Sequence, residues 1–327
     1  VHPLRRHDQG AAPHLDRGGT TRTCRAADRT GRTGTARPGD RGGDRALPGG
    51  HAGRAHERRP GDAADRGLNV PAVDGDRFGS RAADYAHHRA DFPASAVDRL
   101  VGHGVGRPGQ RLLDLGCGTG TLARQFAARG CVVTGLDVDG RMLEAAEALA
   151  AADGVEVAWH LASAEDTGLP DGSFDVASAA QCWHWFDGAA AAMEARRLLV
   201  PAGLLAITNF DWLPLPGSVS GETEALIQAH HPAWDLGGVR EPLPEAITHV
   251  EELGFTVIEA WVEDVDVPYL ADSWRRRIGA SAAIVNLEPA GAAAFDRDLA
   301  ALLAERFPGE EVEAPHRVSV LVARASS

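Results

Sequence analysis

Leu112-Leu113-Asp114-Leu115-Gly116-Cys117-Gly118-Thr119-Gly120 decides the fold. A short apolar run ends in three glycines at alternate positions, then enters a helical pattern with Leu122, Ala123 and Phe126 on one face. Glycine is required where the backbone takes positive φ, or where a ligand approaches with no Cβ in the way. The helix behind the turn offers unpaired amides at its N-terminus. A dinucleotide fingerprint, G-x-G-x-x-G counted from Gly116, needs glycine at 121; that position is Thr121, which disfavours an NAD-linked oxidoreductase.

Outward from this turn, strands alternate with helices. Residues 111–115, 131–136, 155–161, 174–179 and 204–209 read as strands, and 94–103, 142–151 and 188–199 as helices. That alternation predicts parallel pairing through right-handed crossovers, hence an open α/β sheet. Further on, helices are expected at 222–230, 244–253, 271–285 and 290–307, with strands at 255–262 and 317–323. Two acidic features fall at later strand ends. Asp137 closes the second strand, where a carboxylate can accept both ribose hydroxyls of a nucleoside, and Ser163-Ala164-Glu165-Asp166 follows the third. Ligands of open α/β sheets lie outside the carboxyl ends of the strands, so three successive strand ends point to one site.

The combination resembles the class I S-adenosylmethionine-dependent methyltransferases, in their small-molecule branch that includes methyltransferase type 11 and trans-aconitate methyltransferase-like proteins. Its carriers are Asp114 to Gly120, Gly135-Leu136-Asp137, Ala164-Glu165-Asp166, Phe174-Asp175-Val176 and Arg197 to Gly203, so it covers roughly residues 78–210. The resemblance implies a Rossmann-like seven-stranded, mostly parallel sheet with an antiparallel last strand and helical cap insertions. It implies S-adenosyl-L-methionine as cofactor. Asp114, Gly116, Cys117, Gly118, Thr119 and Gly120 would lie near its methionine part. Asp137 would hold the ribose with Val138 beside it, Ala164 and Glu165 would flank the adenine, and Gln181 would complete the site. A lid at 74–105, helical over 74–90, would bring Tyr85 and Arg89 over the donor; a cap at 211–316 would complete the domain spanning 71–327. Ala202 departs from the pattern, which has a second glycine after Pro201.

Methyl transfer from a sulfonium is an in-line displacement that needs alignment and a dry site rather than a nucleophilic triad. The knot Gln181-Cys182-Trp183-His184-Trp185-Phe186 follows strand four, beside the expected methyl. Trp183 and Trp185 are candidate pocket walls, able to face a cationic sulfonium, and His184 is a candidate base. Trp274-Arg275-Arg276-Arg277 follows on a cap helix, and Trp274 with Arg275 is expected in the acceptor pocket, where a guanidinium can hold a carboxylate. The histidines are scattered, so no metal is expected. A non-catalytic S-adenosylmethionine-binding module is the alternative function.

Composition sets the outer bounds. The 327 residues carry 33 basic side chains, all arginine, against 46 acidic ones. Residues 1–70 are net +6, with 13 Gly, 5 Pro and no aromatic residue, whereas 71–327 are net −19. Ordering costs about 1–2 kcal/mol per residue, which so little apolar surface cannot offset, so 1–70 is expected to be disordered or an extension called too far upstream. The acidic domain argues against a nucleic-acid partner. Four cysteines without framework spacing, and no apolar run of 18 residues, suggest a cytoplasmic protein without a membrane partner. The expected partner is a small-molecule acceptor, bound by a monomer or homodimer.

Overall fold

The computed structural model describes residues 90–234 and 243–326; the arm at 1–70, the helix expected over 74–90 as far as residue 89, and with it Tyr85 and Arg89 lie outside the described residues. Five parallel strands form the sheet's first part: β1 (Arg111–Leu115), β2 (Val132–Asp137), β3 (Val157–Leu161), β4 (Phe174–Ala180) and β5 (Leu199–Trp212). Two long strands complete it, β6 (Phe255–Leu270) and β7 (Glu311–Ala325), in the order β3-β2-β1-β4-β5-β7-β6. The last strand, β7, is antiparallel to both of its neighbours. The fold is thus the Rossmann-like mixed sheet that the sequence implies.

Helices cover both faces. Leu112, Val133 and Val176 turn to one side, where they meet Val97 and Leu100 of α1 (Ala94–Gly102) and Phe126 of α2 (Thr121–Ala128). Next in chain order is α3 (Gly140–Asp153). On the opposite side Leu113, Leu115 and Leu205 meet Ala195 and Leu198 of α4 (Gly188–Leu198). Alternate residues of one strand serve opposite cores because side chains of a strand point to alternate faces. Four of the five residues of β1 are buried, as befits a central strand covered on both sides.

A third apolar cluster builds the cap. It joins α5 (Val219–His230), α7 (Ala271–Gly279), α8 (Ala282–Val285) and α9 (Pro289–Arg306) around Trp212, Tyr269, Trp274 and Phe295. In between, α6 (Leu243–Glu252) sends Val250 into the Leu113 cluster. The cap expected at 211–316 is not wholly helical: β5 runs to Trp212, β6 to Leu270, and β7 starts at Glu311. The acidic residues just past the strand expected at 255–262 continue that strand and are paired across the ladder. Arg317 faces Asp264 in register, and its Nη2 donates to Asp264 Oδ2 at 2.8 Å. Pro268 stands on the outermost strand, the place in a sheet where proline is tolerated. The helix expected over 271–285 breaks in two, with Ser281 between the halves donating its N–H to Ile278 O at 2.9 Å.

Ala202 takes φ 62°, a left-handed conformation that a side chain disfavours, and it is exposed. Position 202 keeps the geometry of a glycine without having one. Ala202→Gly is expected to relieve about 1 kcal/mol of strain. Thermal or denaturant unfolding reads this directly, and an unchanged or lowered stability would contradict it.

Candidate functional site

The glycine turn is built from left-handed backbone: Gly116, Gly118 and Gly120 have φ of 59°, 55° and 74°. Each serves a different purpose. A Cβ on Gly116 would lie 2.9 Å from both Cys182 Cβ and Phe186 Cζ, so this residue lets the end of β4 pack against the end of β1. A Cβ on Gly118 would meet nothing within 4 Å, because it faces open space. At Gly120 it would come 2.7 Å from Trp159 Cη2, so that residue is needed for packing and lies off the cavity.

A cavity of about 360 Å³ opens over the carboxyl ends of the strands. Its first end is lined by Gly116, Cys117, Gly118 and Thr119 from the turn, and by Asp137, Val138 and Met142 beyond β2. Ala162 and Ala164 close that end. The Asp137 carboxylate is held in place by backbone: Oδ2 accepts from Gly118 N at 2.8 Å and Oδ1 from Asp139 N at 3.0 Å. Burial raises its pKa from the usual carboxylate range, against these hydrogen bonds. Val138 beside it is 71% exposed, an apolar side chain left open at the cavity edge.

The other end of the cavity follows β4 and β5. Gln181 has φ 61°, a strained state for a residue with a side chain, and three hydrogen bonds hold it there. Its N–H donates to Thr208 O at 2.8 Å, its Oε1 accepts from Phe210 N at 2.5 Å, and its Nε2 donates to Asp211 Oδ1 at 2.6 Å. Gln181 thereby clamps the tips of the two strands. His184 and Trp185 line the cavity within a single 3-10 turn, their rings 4.8 Å apart. Phe92, Asp211, Trp212, Trp234 and Arg277 line it from the remaining sides.

Several expected residues stand elsewhere. Trp183 is buried and packs edge-on against Phe186 at 6.0 Å, off the cavity. Glu165 also lies off it, and its carboxylate accepts from Asp187 N at 3.0 Å, tying the loop after β3 to the start of α4. Trp274 is fully buried in the cap, donating Nε1–H to Thr223 Oγ1 at 3.0 Å. Arg275 pairs with Asp272 and, at 2.7 Å, with Asp296. Arg277 lines the cavity in its place. The signal was in the spacing: Trp274, Arg277 and Ile278 fall at i, i+3 and i+4, one helix face, whereas Arg275 points away from it. No motif marks Asp211, Trp212 or Trp234. No cluster of His, Cys, Asp and Glu suited to a metal occurs among the described residues. No helix there is long and apolar enough to cross a membrane.

Asp114 is also off the cavity, just beneath the turn. Its Oδ1 accepts from Ser178 Oγ at 2.7 Å, and its Oδ2 has no hydrogen-bond partner among the described residues. Burial lifts this carboxyl to about 7. A carboxyl whose folded pKa lies above its unfolded value near 3.9 binds more protons when folded. Its contribution is therefore full below about pH 4 and is lost as pH rises towards 7. The ligand-free protein should lose on the order of a few kcal/mol between pH 4 and 8 from this group, and Asp114→Asn should flatten that slope. Parallel melting-temperature profiles for the two proteins would contradict the assignment.

Known proteins resemble this chain in sequence and fold. A family model described as a methyltransferase domain matches residues 113–207. The nocamycin O-methyltransferase of Saccharothrix syringae is 31% identical over 209 residues, covering 58% of this chain and 75% of that protein. An uncharacterized methyltransferase of Mycobacterium tuberculosis is 38% identical over 130 residues, 40% of this chain. The chain spans about half (50%) of that mycobacterial relative's length. Among solved structures, one described as a type II methyltransferase from Anaeromyxobacter dehalogenans superposes with a TM-score of 0.55 at 23% identity, over 73% of this chain and 97% of that one.

Proposed function

The chain belongs to the S-adenosylmethionine-dependent methyltransferases, and from that premise we propose that it methylates a small-molecule acceptor. The observation that carries this is the open glycine cradle at Gly118 next to the backbone-held carboxylate of Asp137, at one end of a cavity whose other end is aromatic. These residues fit the donor. Gly118 leaves room for a ligand without displacing any side chain, Asp137 suits two ribose hydroxyls, and exposed Val138 suits a purine face. When bound, S-adenosylmethionine would supply a methyl group on a sulfonium, whose sulfur departs as a neutral thioether, a good leaving group.

The chain's own residues then have simple tasks. The turn at Gly116–Gly120 binds the donor's methionine end through backbone, with Asp114 beneath it. Ala164 leaves space beside the adenine. Gln181 braces the wall between the two ends of the cavity, and Trp185, Trp212 and Phe92 exclude water from the acceptor. Small natural products are the acceptor class supported by relatives such as the nocamycin enzyme and the 27-O-demethylrifamycin SV methyltransferase of Amycolatopsis mediterranei, 32% identical over 184 residues. Action on a small molecule rather than a nucleic acid accords with the net charge of −19 over 71–327, and a cytoplasmic monomer or homodimer is the form proposed.

Asp137→Ala should weaken S-adenosylmethionine binding by roughly 1.5–3 kcal/mol, the scale of a lost charge-assisted hydrogen bond, and Asp137→Asn by less. Titration calorimetry measures this, with melting temperatures as a check that the turn survives. Three equal affinities would remove Asp137 from the site.

His184 is half-buried on the cavity wall, and its proposed task is to accept the proton that the acceptor loses. His184→Ala should leave S-adenosylhomocysteine affinity within a few-fold and lower methyl transfer about 10²–10⁴-fold, with a changed pH profile. The measurement is transfer of labelled methyl across a panel of hydroxylated metabolites. A small drop, flat with pH, would reduce His184 to a packing residue.

A further inference from the structure

The buried face of α5 carries a carboxylate where packing alone asks for an apolar residue. Ser220, Thr223, Glu224 and Ile227 fall at i, i+3, i+4 and i+7, one face of that helix, and all four are buried. Each polar group of this face has a use. Ser220 Oγ donates to Pro315 O at 3.2 Å, Thr223 Oγ1 accepts from Trp274 Nε1 at 3.0 Å, and Glu224 Oε2 accepts from Trp212 Nε1 at 3.0 Å. Trp212 lines the acceptor end of the cavity, and so does Trp234, which follows α5 by four residues. Burial pushes the Glu224 pKa up, and the indoles of Trp212 and Trp234 both oppose that shift, which sets both beside the carboxylate. Trp234 Nε1 and Glu224 Oε1 are both buried and neither closes a hydrogen bond among the described residues, so this donor and this acceptor are left to each other.

We propose that Glu224 is a positioning residue for the acceptor end: by drawing the indole N–H groups of Trp212 and Trp234 away from the cavity, it leaves ring carbon as the wall, and the site takes a flat, apolar ring. An indole has a single N–H and no acceptor, so one whose N–H is held from behind offers a ligand only its carbon surface. The hydrogen bond to Glu224 also fixes which way the Trp212 ring lies, and Trp274, edge-on at 6.5 Å, and the Arg277 guanidinium, 5.3 Å from the ring centre, hold the same ring. A wall ordered before the ligand arrives costs less to order when it binds. Phe92 and Trp185 add aromatic surface at this end. Such surfaces pair with flat rings by offset or edge-on contact, which a puckered ring of equal size cannot reproduce. Calling the bound ring the methyl acceptor rests on the methyltransferase reading; the preference for a flat ring does not.

The test is a calorimetric titration of the full chain, saturated with S-adenosylhomocysteine, using 2-naphthol and its puckered, saturated counterpart decahydro-2-naphthol. Burial alone would favour the saturated probe, so the contrast isolates shape. The flat probe is expected to bind about 10-fold more tightly, the scale of one or two aromatic pairs. Glu224→Met keeps the bulk and removes both acceptors; it should bring the two probes within about 2-fold of each other while S-adenosylhomocysteine affinity stays within about 2-fold of the parent's. Glu224→Gln retains one acceptor oxygen, so it should keep part of the preference, and it serves if the Met variant fails to fold. Glu222→Gln, a change to the carboxylate that pairs with Arg306 two residues earlier, should leave the preference intact. In proton NMR the indole N–H resonances of Trp212 and Trp234, assigned by Trp→Phe changes, should move in both Glu224 variants. Equal affinity for the two probes in the parent, no binding of 2-naphthol, a preference that survives both Glu224 variants, or one lost only in step with S-adenosylhomocysteine affinity would each overturn the proposal. Failure of S-adenosylhomocysteine to bind the parent would instead count against the donor site, and the same titrations without it would still decide the role of Glu224.

Discussion

The chain must reverse direction at the tip of a buried strand without presenting a Cβ, and the rest of the molecule is arranged around that demand. Left-handed backbone at Gly116, Gly118 and Gly120 meets it. Because Gly116 has no side chain, Cys182 can come close enough to donate its thiol to Leu115 O at 3.0 Å, which brings the end of β4 alongside the end of β1. Because Gly118 lifts its N–H towards β2, the Asp137 carboxylate is locked to the turn. Because Gly120 is bare, Trp159 of β3 can pack over the start of α2. One backbone device therefore aligns three strand ends, and the cavity lies over all three.

Much of this is legible in sequence for a definite physical reason. Short parallel strands buried on both faces are unbroken apolar runs, and the turns between them are marked by glycine or by an acid. The order of β1 to β5, the glycine turn and Asp137 all follow from such local signals. The long strands β6 and β7 are less legible. Glu263, Asp264 and Asp266 look like the end of a strand until Arg317 and its ladder neighbours are set against them, and that partner lies some fifty residues away. Cross-strand neutralisation is a tertiary fact that no window along the chain contains.

The same distinction separates the two ends of the site. The donor end is made of consecutive residues with fixed backbone needs, so sequence points to it. The acceptor end gathers Phe92, Trp185, Asp211, Trp234 and Arg277 from five separate stretches, and only packing brings them together. Arg275 and Arg277 show how fine the margin is. Two positions along a helix is more than half a turn, enough to exchange a surface ion pair for a buried place over Trp212.

The ladder between β6 and β7 pairs Phe255 with Ala325 at one end and Leu270 with Glu311 at the other, without interruption save for one register shift near Val257. It joins the sheet to the floor of the cap, where Tyr269 and His316 stack at 5.8 Å. A continuous ribbon of this kind transmits loss of order as readily as it transmits order. The amides of Val267 and Tyr269 beneath the cap should therefore exchange with solvent deuterium by the same cooperative opening as those of Val320 and Val322 in the sheet. In mechanical terms the cap floor is a rigid cantilever rather than a hinged flap, and whatever admits the acceptor must move against it.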